Sequence, residues 1–282
     1  MSKEKENNNK DLTDLPVIGQ DKLIKEVSRI FEIFSKSKGQ IRPHFILTGE
    51  SGSGKTFTIN SLATKHEMNF LEINAAQLTK EGTSGNSLSK ALSGLLNVKD
   101  LTVVFVDEFD KLYISGNSND SIAHESTVGV QNEFLTLLES KTTQVFGDYG
   151  KYIKVPVDKT LFIFAGAFNN ETNITLDRLR EIGLKTEFLG RVGLVYNTTK
   201  LSLEDLYKIV DNSDLLNKYT KLFNTDFEEV SSYIKGYISR FYEKNTLGAR
   251  MINTLIQQYF IKGGVLNLDD AEEITFQDTL EL

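Results

Sequence analysis

Residues 49–56 read GESGSGKT, placing three glycines, a lysine and a threonine hydroxyl at the spacing G-x-x-x-x-G-K-[ST]. Gly49, Gly52 and Gly54 let the backbone curl tightly, so that consecutive N–H groups converge on one anion. Glu50, Ser51 and Ser53 complete the loop and add backbone donors. The chemistry that needs this combination is the holding of a nucleotide's phosphates. The loop cradles them, Lys55 reaches the β- and γ-phosphates, and the Thr56 hydroxyl offers a hard oxygen to Mg2+. Roughly 1% of chains this long carry such a pattern by chance, so context decides. HFILTG (44–49) reads as a strand and GKTFTINSLATKH (54–66) as a helix, the order the motif requires, and a helix opening at the loop adds partial positive charge.

A second candidate group is the acid pair Asp107 and Glu108 in VVFVDEFDKL (103–112). It ends the most strand-like run of the chain. In open α/β sheets ligands gather at the carboxyl ends of strands, which puts the pair beside the phosphate loop. Two acids serve because their roles differ. Asp107 would hold Mg2+ through water, and Glu108 would orient the attacking water and take its proton as general base. Asp110 and Lys111 read as helix-start and surface residues.

The elements that must position these groups alternate in type. NFLEINA (69–75), LTVVFVD (101–107), TLFIFAGAF (160–168) and VGLVYNT (192–198) read as further strands. SLSKALSGLL (87–96) and VQNEFLTLLE (130–139) read as helices, 114–127 as a polar loop, and VFGDYGKYIKV (145–155) as a hairpin turning at 148–150. Alternation with continuous apolar strands predicts an α/β fold: a parallel sheet covered by helices on both faces. From 199 the pattern becomes helical, over 213–223, 226–243 and 247–262, with Ser202 and Asp205 spaced as a capping box and EEITF (272–276) as a terminal strand. The expected organisation is a polar, disordered tail (1–14), a large α/β domain (15–198) and a small helical domain (199–282).

Bulk composition excludes several classes. The chain has no cysteine, which removes disulfides and cysteine-based zinc sites and suits a reducing cytoplasm. His44, His66 and His124 are too scattered for a metal cluster. A net charge of −7 lacks a wholesale basic footprint for nucleic acid. The N-terminus has no apolar core of a signal peptide, and no run of about 18 apolar residues predicts a membrane span.

With these motifs in place, the sequence resembles the ATPase core of ClpX-type AAA+ unfoldases and of their relative HslU. VIGQ (17–20), DEFDKL (107–112), GVQNEFLTLLES (129–140), TLFIFAGAF (160–168), GLKTEFLGRVGLV (183–195) and GAR (248–250) occur in the family's order, over about residues 15–278. EFLGR and GAR are the more specific segments. The resemblance implies an AAA+ P-loop fold with a five-stranded parallel sheet and a helical lid, ATP hydrolysis with Mg2+, and a homo-oligomeric, hexameric ring. It implies that Val17 and Ile18 line the adenine pocket. It implies that Arg191 is an arginine finger for a neighbour's γ-phosphate, and that Arg250 is a sensor arginine for the subunit's own ATP. Guanidinium groups suit such multidentate phosphate contacts.

The departures shape the expected partner. There is no cysteine-rich zinc domain. Where the family carries an Ile-Gly-Phe loop that docks on the ClpP peptidase, this chain has only NNETNITLDRLREI (169–182), so docking to ClpP is not expected. The family's aromatic pore loop matches GTSG (82–85), where Thr83 stands in place of the ring. A ring offers broad apolar grip that threonine lacks. Tyr149, at the hairpin tip, is either a second pore element or a surface aromatic. Three readings follow. The favoured one is an ATP-driven machine that remodels a protein partner without an attached peptidase. The alternatives are a nucleic-acid machine (a helicase loader, a transposition ATPase or a phage DNA-handling motor), with Lys80 and Lys90 facing phosphates, and a nucleotide-timed assembly scaffold.

Overall fold

The computed structural model of the chain describes residues 15–80, 85–113, 121–147, 150–245 and 247–266, with the backbone alone over 121–127. The expected tail, residues 82–84 of the GTSG loop, Tyr149, and the expected strand at 272–276 lie outside the described residues. The chain divides into two compact units after Thr198, with Ser51–Gly54 grouping with the second.

The first unit is built on five parallel strands: β1 (Phe45–Thr48), β2 (Asn69–Asn74), β3 (Thr102–Asp107), β6 (Thr160–Gly166) and β7 (Leu194–Asn197), in the order β2-β3-β6-β1-β7. Side chains on a strand alternate between faces, and here the alternation sorts the core in two. Phe45, Leu47, Val103, Phe105, Leu161 and Ile163 pack toward α1 (Asp21–Lys36) and α2 (Lys55–Lys65), against Phe31, Phe34 and Leu62. Ile46, Val104, Val106, Phe162 and Phe164 pack on the opposite face, against residues of α4 (Ser121–Glu139), α5 (Leu176–Ile182) and α6 (Thr186–Val192). Both faces are covered, so the strands read as unbroken apolar runs.

Four rings give the second face its rigidity. Phe109, Phe134, Phe164 and Phe188 are fully or almost fully buried, and their centroid contacts span 4.7–5.7 Å. Phe109 directly follows Glu108, and Phe188 lies one helical turn before Arg191. The cluster therefore anchors both site-bearing segments to the core. Each ring is worth about 3–5 kcal/mol against truncation to alanine.

His44 is a core residue. Its Nδ1 accepts a hydrogen bond from the Phe162 N–H at 3.0 Å. Burial, with the Arg42 charge second, pushes its pKa down to about 3, so the ring stays neutral and keeps that acceptor.

Two helices differ from the sequence expectation. The run 87–96 forms only the short α3 (Leu88–Ala91), then tightens into a 3₁₀ turn over Leu92–Leu95. Gly94, a weak helix former, lies in that turn. Conversely α4 begins at Ser121, inside the expected polar loop. No glycine or proline occurs between 121 and 128 to stop it, and polarity alone does not break a helix. The hairpin forms as expected, β4 (Thr142–Phe146) pairing antiparallel with β5 (Tyr152–Pro156).

The second unit carries α7 (Leu203–Asp211), α8 (Asp214–Phe223), α9 (Phe227–Phe241) and α10 (Arg250–Ile261) around a core of Leu206, Val210, Leu216, Ile234, Ile238 and Ile256. The capping box is present: the Ser202 N–H donates to Asp205 Oδ2 at 2.9 Å, and the Asp205 N–H donates to Ser202 Oγ at 3.1 Å. Ser213 and Asp226 cap α8 and α9 with a single bond each, accepting the N–H groups of Leu216 and Glu229, each cap being worth about 0.5–2 kcal/mol. Among the described residues no helix is long and apolar enough to cross a membrane.

Candidate functional site

The phosphate loop leaves the carboxyl end of β1 under tight control. The Gly49 N–H donates to the Gly166 carbonyl at 3.2 Å, at the end of β6. The Thr198 N–H donates to the Thr48 carbonyl at 2.8 Å, at the end of β7. Gly49 has φ +152°, and a Cβ there would lie 1.7 Å from Thr198 Oγ1, so no side chain fits. Lys55 opens α2 and its Nζ donates to the carbonyls of Gly49 at 2.8 Å and Glu50 at 3.0 Å. The ammonium is thus held over the start of its own loop. Thr56 follows in the first turn of α2, half-buried.

The crest of the loop groups with the second unit. There the Ala249 N–H donates to the Gly52 carbonyl at 3.0 Å, and Arg250 Nη1 donates to Ser51 Oγ at 3.0 Å. Gly52 has φ +73°, and a Cβ on it would meet the Leu247 carbonyl oxygen at 1.9 Å. Ser53 is buried. Arg250, the first residue of α10, thus lies beside Ser51 within the second unit.

Asp107 ends β3 and its Oδ1 accepts the Glu108 N–H at 2.9 Å. Glu108 sits in the left-handed region (φ 55°, ψ 29°) at the start of the 3₁₀ turn Phe109–Leu112. A left-handed conformation costs a non-glycine residue roughly 1–2 kcal/mol, and it persists where the surrounding structure holds it. In the strand order, β6 alone separates β3 from β1. The acid pair and the loop therefore leave the same sheet end about 10 Å apart.

Arg191 lies in the last turn of α6. Its Nη1 donates to the Glu187 carbonyl at 2.7 Å, and its Nη2 pairs with the Glu139 carboxylate at the end of α4. Val17 and Ile18 are half-buried in the segment before α1. Asp110 departs from expectation: it is 1% exposed, not a surface residue. Its Oδ2 accepts the Phe168 N–H at 3.3 Å and lies 3.3 Å from Lys111 Nζ. Its neighbour Lys111 is exposed.

Sequence reasoning also passed over Asn169 and Asn170. Both are exposed at the carboxyl end of β6, next to the loop's own strand, with φ of 60° and 58°. An asparagine pair after an apolar strand is the available signal, since asparagine tolerates the left-handed region better than most residues.

The donor set fits a nucleotide with a divalent metal. Gly49 and Gly52 stand where a side chain would collide with Thr198 and Leu247, so the tight course of the loop requires glycine there, and Thr56 and Asp107 are hard oxygen donors. Among the described residues no three His, Asp or Glu side chains cluster into a metal site.

Residues 45–183, from the first residue of β1 through the loop and the acid pair, match the model of the ATPase family associated with various cellular activities (AAA). ClpX, the ATP-binding subunit of the ATP-dependent Clp protease, from Bacteroides fragilis is 25% identical over 88% of this chain and 73% of its own length. The chain carries a ClpX-like AAA+ ATPase core. ClpX 2 of Wolinella succinogenes is 28% identical over 66% of this chain and 55% of its own length. ClpX of Treponema denticola is 27% identical over 62% and 44%. The AAA+ core makes the protein an ATP-hydrolysing enzyme that binds nucleotide with a divalent metal.

Proposed function

We propose that the chain is one subunit of an ATP-driven, hexameric ring that remodels a protein partner without an attached ClpP-type peptidase. The observation that carries this reading is the phosphate loop and the acid pair at one sheet end, within a core similar to ClpX along most of the chain. Backbone N–H groups of 49–54 and the Lys55 ammonium bind the phosphates of ATP. Thr56 and Asp107 hold Mg2+, which when bound spreads the negative charge of the β- and γ-phosphates. Glu108 orients the attacking water and accepts its proton. Val17 and Ile18 meet the adenine, Arg250 reads the phosphates of its own subunit, and Asn169 or Asn170 is placed to hydrogen-bond the terminal phosphate.

Arg191 serves the neighbouring subunit. Its cis partners, Glu139 and the Glu187 carbonyl, must be exchanged for phosphate oxygens when the ring forms. Arg191→Ala is expected to leave ATP affinity within about threefold while hydrolysis falls about 10³-fold or more. Mixing Arg191→Ala subunits with Glu108→Gln subunits should restore part of the activity, because some interfaces then pair an intact Glu108 with an intact Arg191. Absence of recovery at every ratio would remove the case for a shared site.

The partner is tested by measuring ATPase stimulation by an unfolded protein, single-stranded DNA and duplex DNA side by side. The reading expects stimulation by polypeptide. Stimulation by DNA alone, falling steeply with salt, would replace it with the nucleic-acid machine. Of the two lysines that the alternative invokes, Lys90 is exposed and its Nζ donates to the Gly85 carbonyl at 2.9 Å.

A further inference from the structure

The connection from β6 to α5 runs through left-handed residues: Phe168, Asn169, Asn170 and Asn173 have φ of 45°, 60°, 58° and 56°. It is gripped at both ends by side chains. At the upstream end the buried Asp110 carboxylate takes the Phe168 N–H. Asp110 belongs to the turn that begins with Glu108. At the downstream end the Asn197 carboxamide takes both backbone groups of Ile174. Its Oδ1 accepts the Ile174 N–H at 2.7 Å and its Nδ2 donates to the Ile174 carbonyl at 3.0 Å. The amide thereby imitates a strand neighbour for one residue of a segment that belongs to no strand.

Asn197 is also joined to the phosphate loop. It ends β7 in register with Thr48, the last residue before Gly49. The Thr48 hydroxyl donates to Asn197 Oδ1 at 2.7 Å. Thr48 is fully buried and Ile174 is 3% exposed, so these bonds are sheltered from water. Only a carboxamide offers an acceptor and a donor side by side: aspartate lacks the donor, and serine or threonine lacks the reach for both. Glutamine would overshoot by one methylene.

We infer that Asn197 is a positioning residue for ATP hydrolysis, fixing the Asn169–Asn170 segment at a set distance from the phosphate loop. It touches neither phosphate nor water. It acts by holding Ile174 against Thr48, while Asp110 holds Phe168 against the turn that carries the acid pair. This inference rests on the assignment of 49–56 as the ATP site. Charge for binding comes from Lys55 and the loop amides, which Asn197 does not contact. Its loss therefore acts on the chemical step, where a misplacement of about 1 Å costs up to about 10²-fold.

The test compares Asn197→Ala, Asn197→Asp, Thr48→Val and the Thr48→Val/Asn197→Ala double variant in the full chain. ATP affinity, steady-state kcat and thermal unfolding are measured for each, with wild type and Lys55→Ala as references. The expected result is a kcat lowered about 10–100-fold with ATP affinity within about threefold. Asn197→Asp should show the same split, because its second oxygen faces the Ile174 carbonyl. The double variant should lose no more than the worse single one, since both bonds belong to one clamp. The inference is overturned if kcat stays within about twofold of wild type, if affinity falls in parallel with kcat, or if the two losses multiply. Should Asn197→Ala fail to fold, Asn197→Asp and Thr48→Val carry the same comparison. The site assignment fails separately, in wild-type-like ATP binding by Lys55→Ala.

Discussion

Lys55→Ala is expected to weaken ATP binding by about 10²–10⁴-fold and to abolish hydrolysis. Lys55 Nζ makes two charge-assisted hydrogen bonds to the carbonyls of Gly49 and Glu50. When ATP binds, the ammonium would exchange these for phosphate oxygens. The phosphates are ionised and the carbonyls are not, so the gain is the attraction between opposite charges, about 4 kcal/mol for a pair about 4 Å apart at an effective dielectric of about 20, which falls within the stated range in Kd. The variant also leaves two carbonyl dipoles facing the phosphates with no cation between them. The loop itself should persist. Its course is set by the Gly49–Gly166 and Thr198–Thr48 backbone bonds, which do not involve the lysine side chain. Melting without nucleotide should thus fall only by what the two carbonyl bonds contribute, while the stabilisation by ATP, about 2.7 kcal/mol at a hundred times Kd, should vanish. Titration of both proteins with ATP and Mg2+ checks this. A wild-type-like isotherm would show that the phosphates bind elsewhere.

Glu108→Gln should separate binding from chemistry. Glutamine has the same length and can still hydrogen-bond a water, but its amide cannot take the water's proton. General-base catalysis by a positioned side chain contributes about 10²–10⁴-fold, so kcat should fall by that factor while ATP affinity stays within about threefold. The substitution is conservative for the backbone as well. Both residues must accept the left-handed conformation at φ 55°, and the Asp107 Oδ1 bond is made to the backbone N–H, which both have. Stability should therefore be unchanged, and ATP should remain bound and unhydrolysed. Single-turnover hydrolysis measured beside equilibrium binding decides the matter. A variant that turns over at more than about a tenth of the wild-type rate would move the general base to another residue.

These two effects are the largest because each removes one chemical group from a short, contiguous motif. The same contiguity made those groups legible in the chain. GESGSGKT places its donors within eight residues, and the geometry between them is set by local backbone conformation. The sorting of alternate residues of β1, β3 and β6 onto opposite faces likewise follows from the geometry of single strands. Those apolar runs, alternating with helical patterns, are what pointed to a covered parallel sheet. The capping box at Ser202 and Asp205 spans only three residues, and it formed as its spacing predicts.

Other features depend on partners that local spacing does not encode. Asp110 looks like a surface acid in DEFDKL, yet its burial is decided by Phe168, 58 residues away. Arg191 meets Glu139 across 52 residues. Asn197 meets Ile174 across 23 and Thr48 across 149. The sequence by itself determined the phosphate-loop motif, the alternating elements and the helix caps, because each is written in residues within a turn or a strand of one another. Only the tertiary structure decided which polar side chains clamp the segment after β6, because those contacts arise when distant strand ends are brought together at the carboxyl end of the sheet.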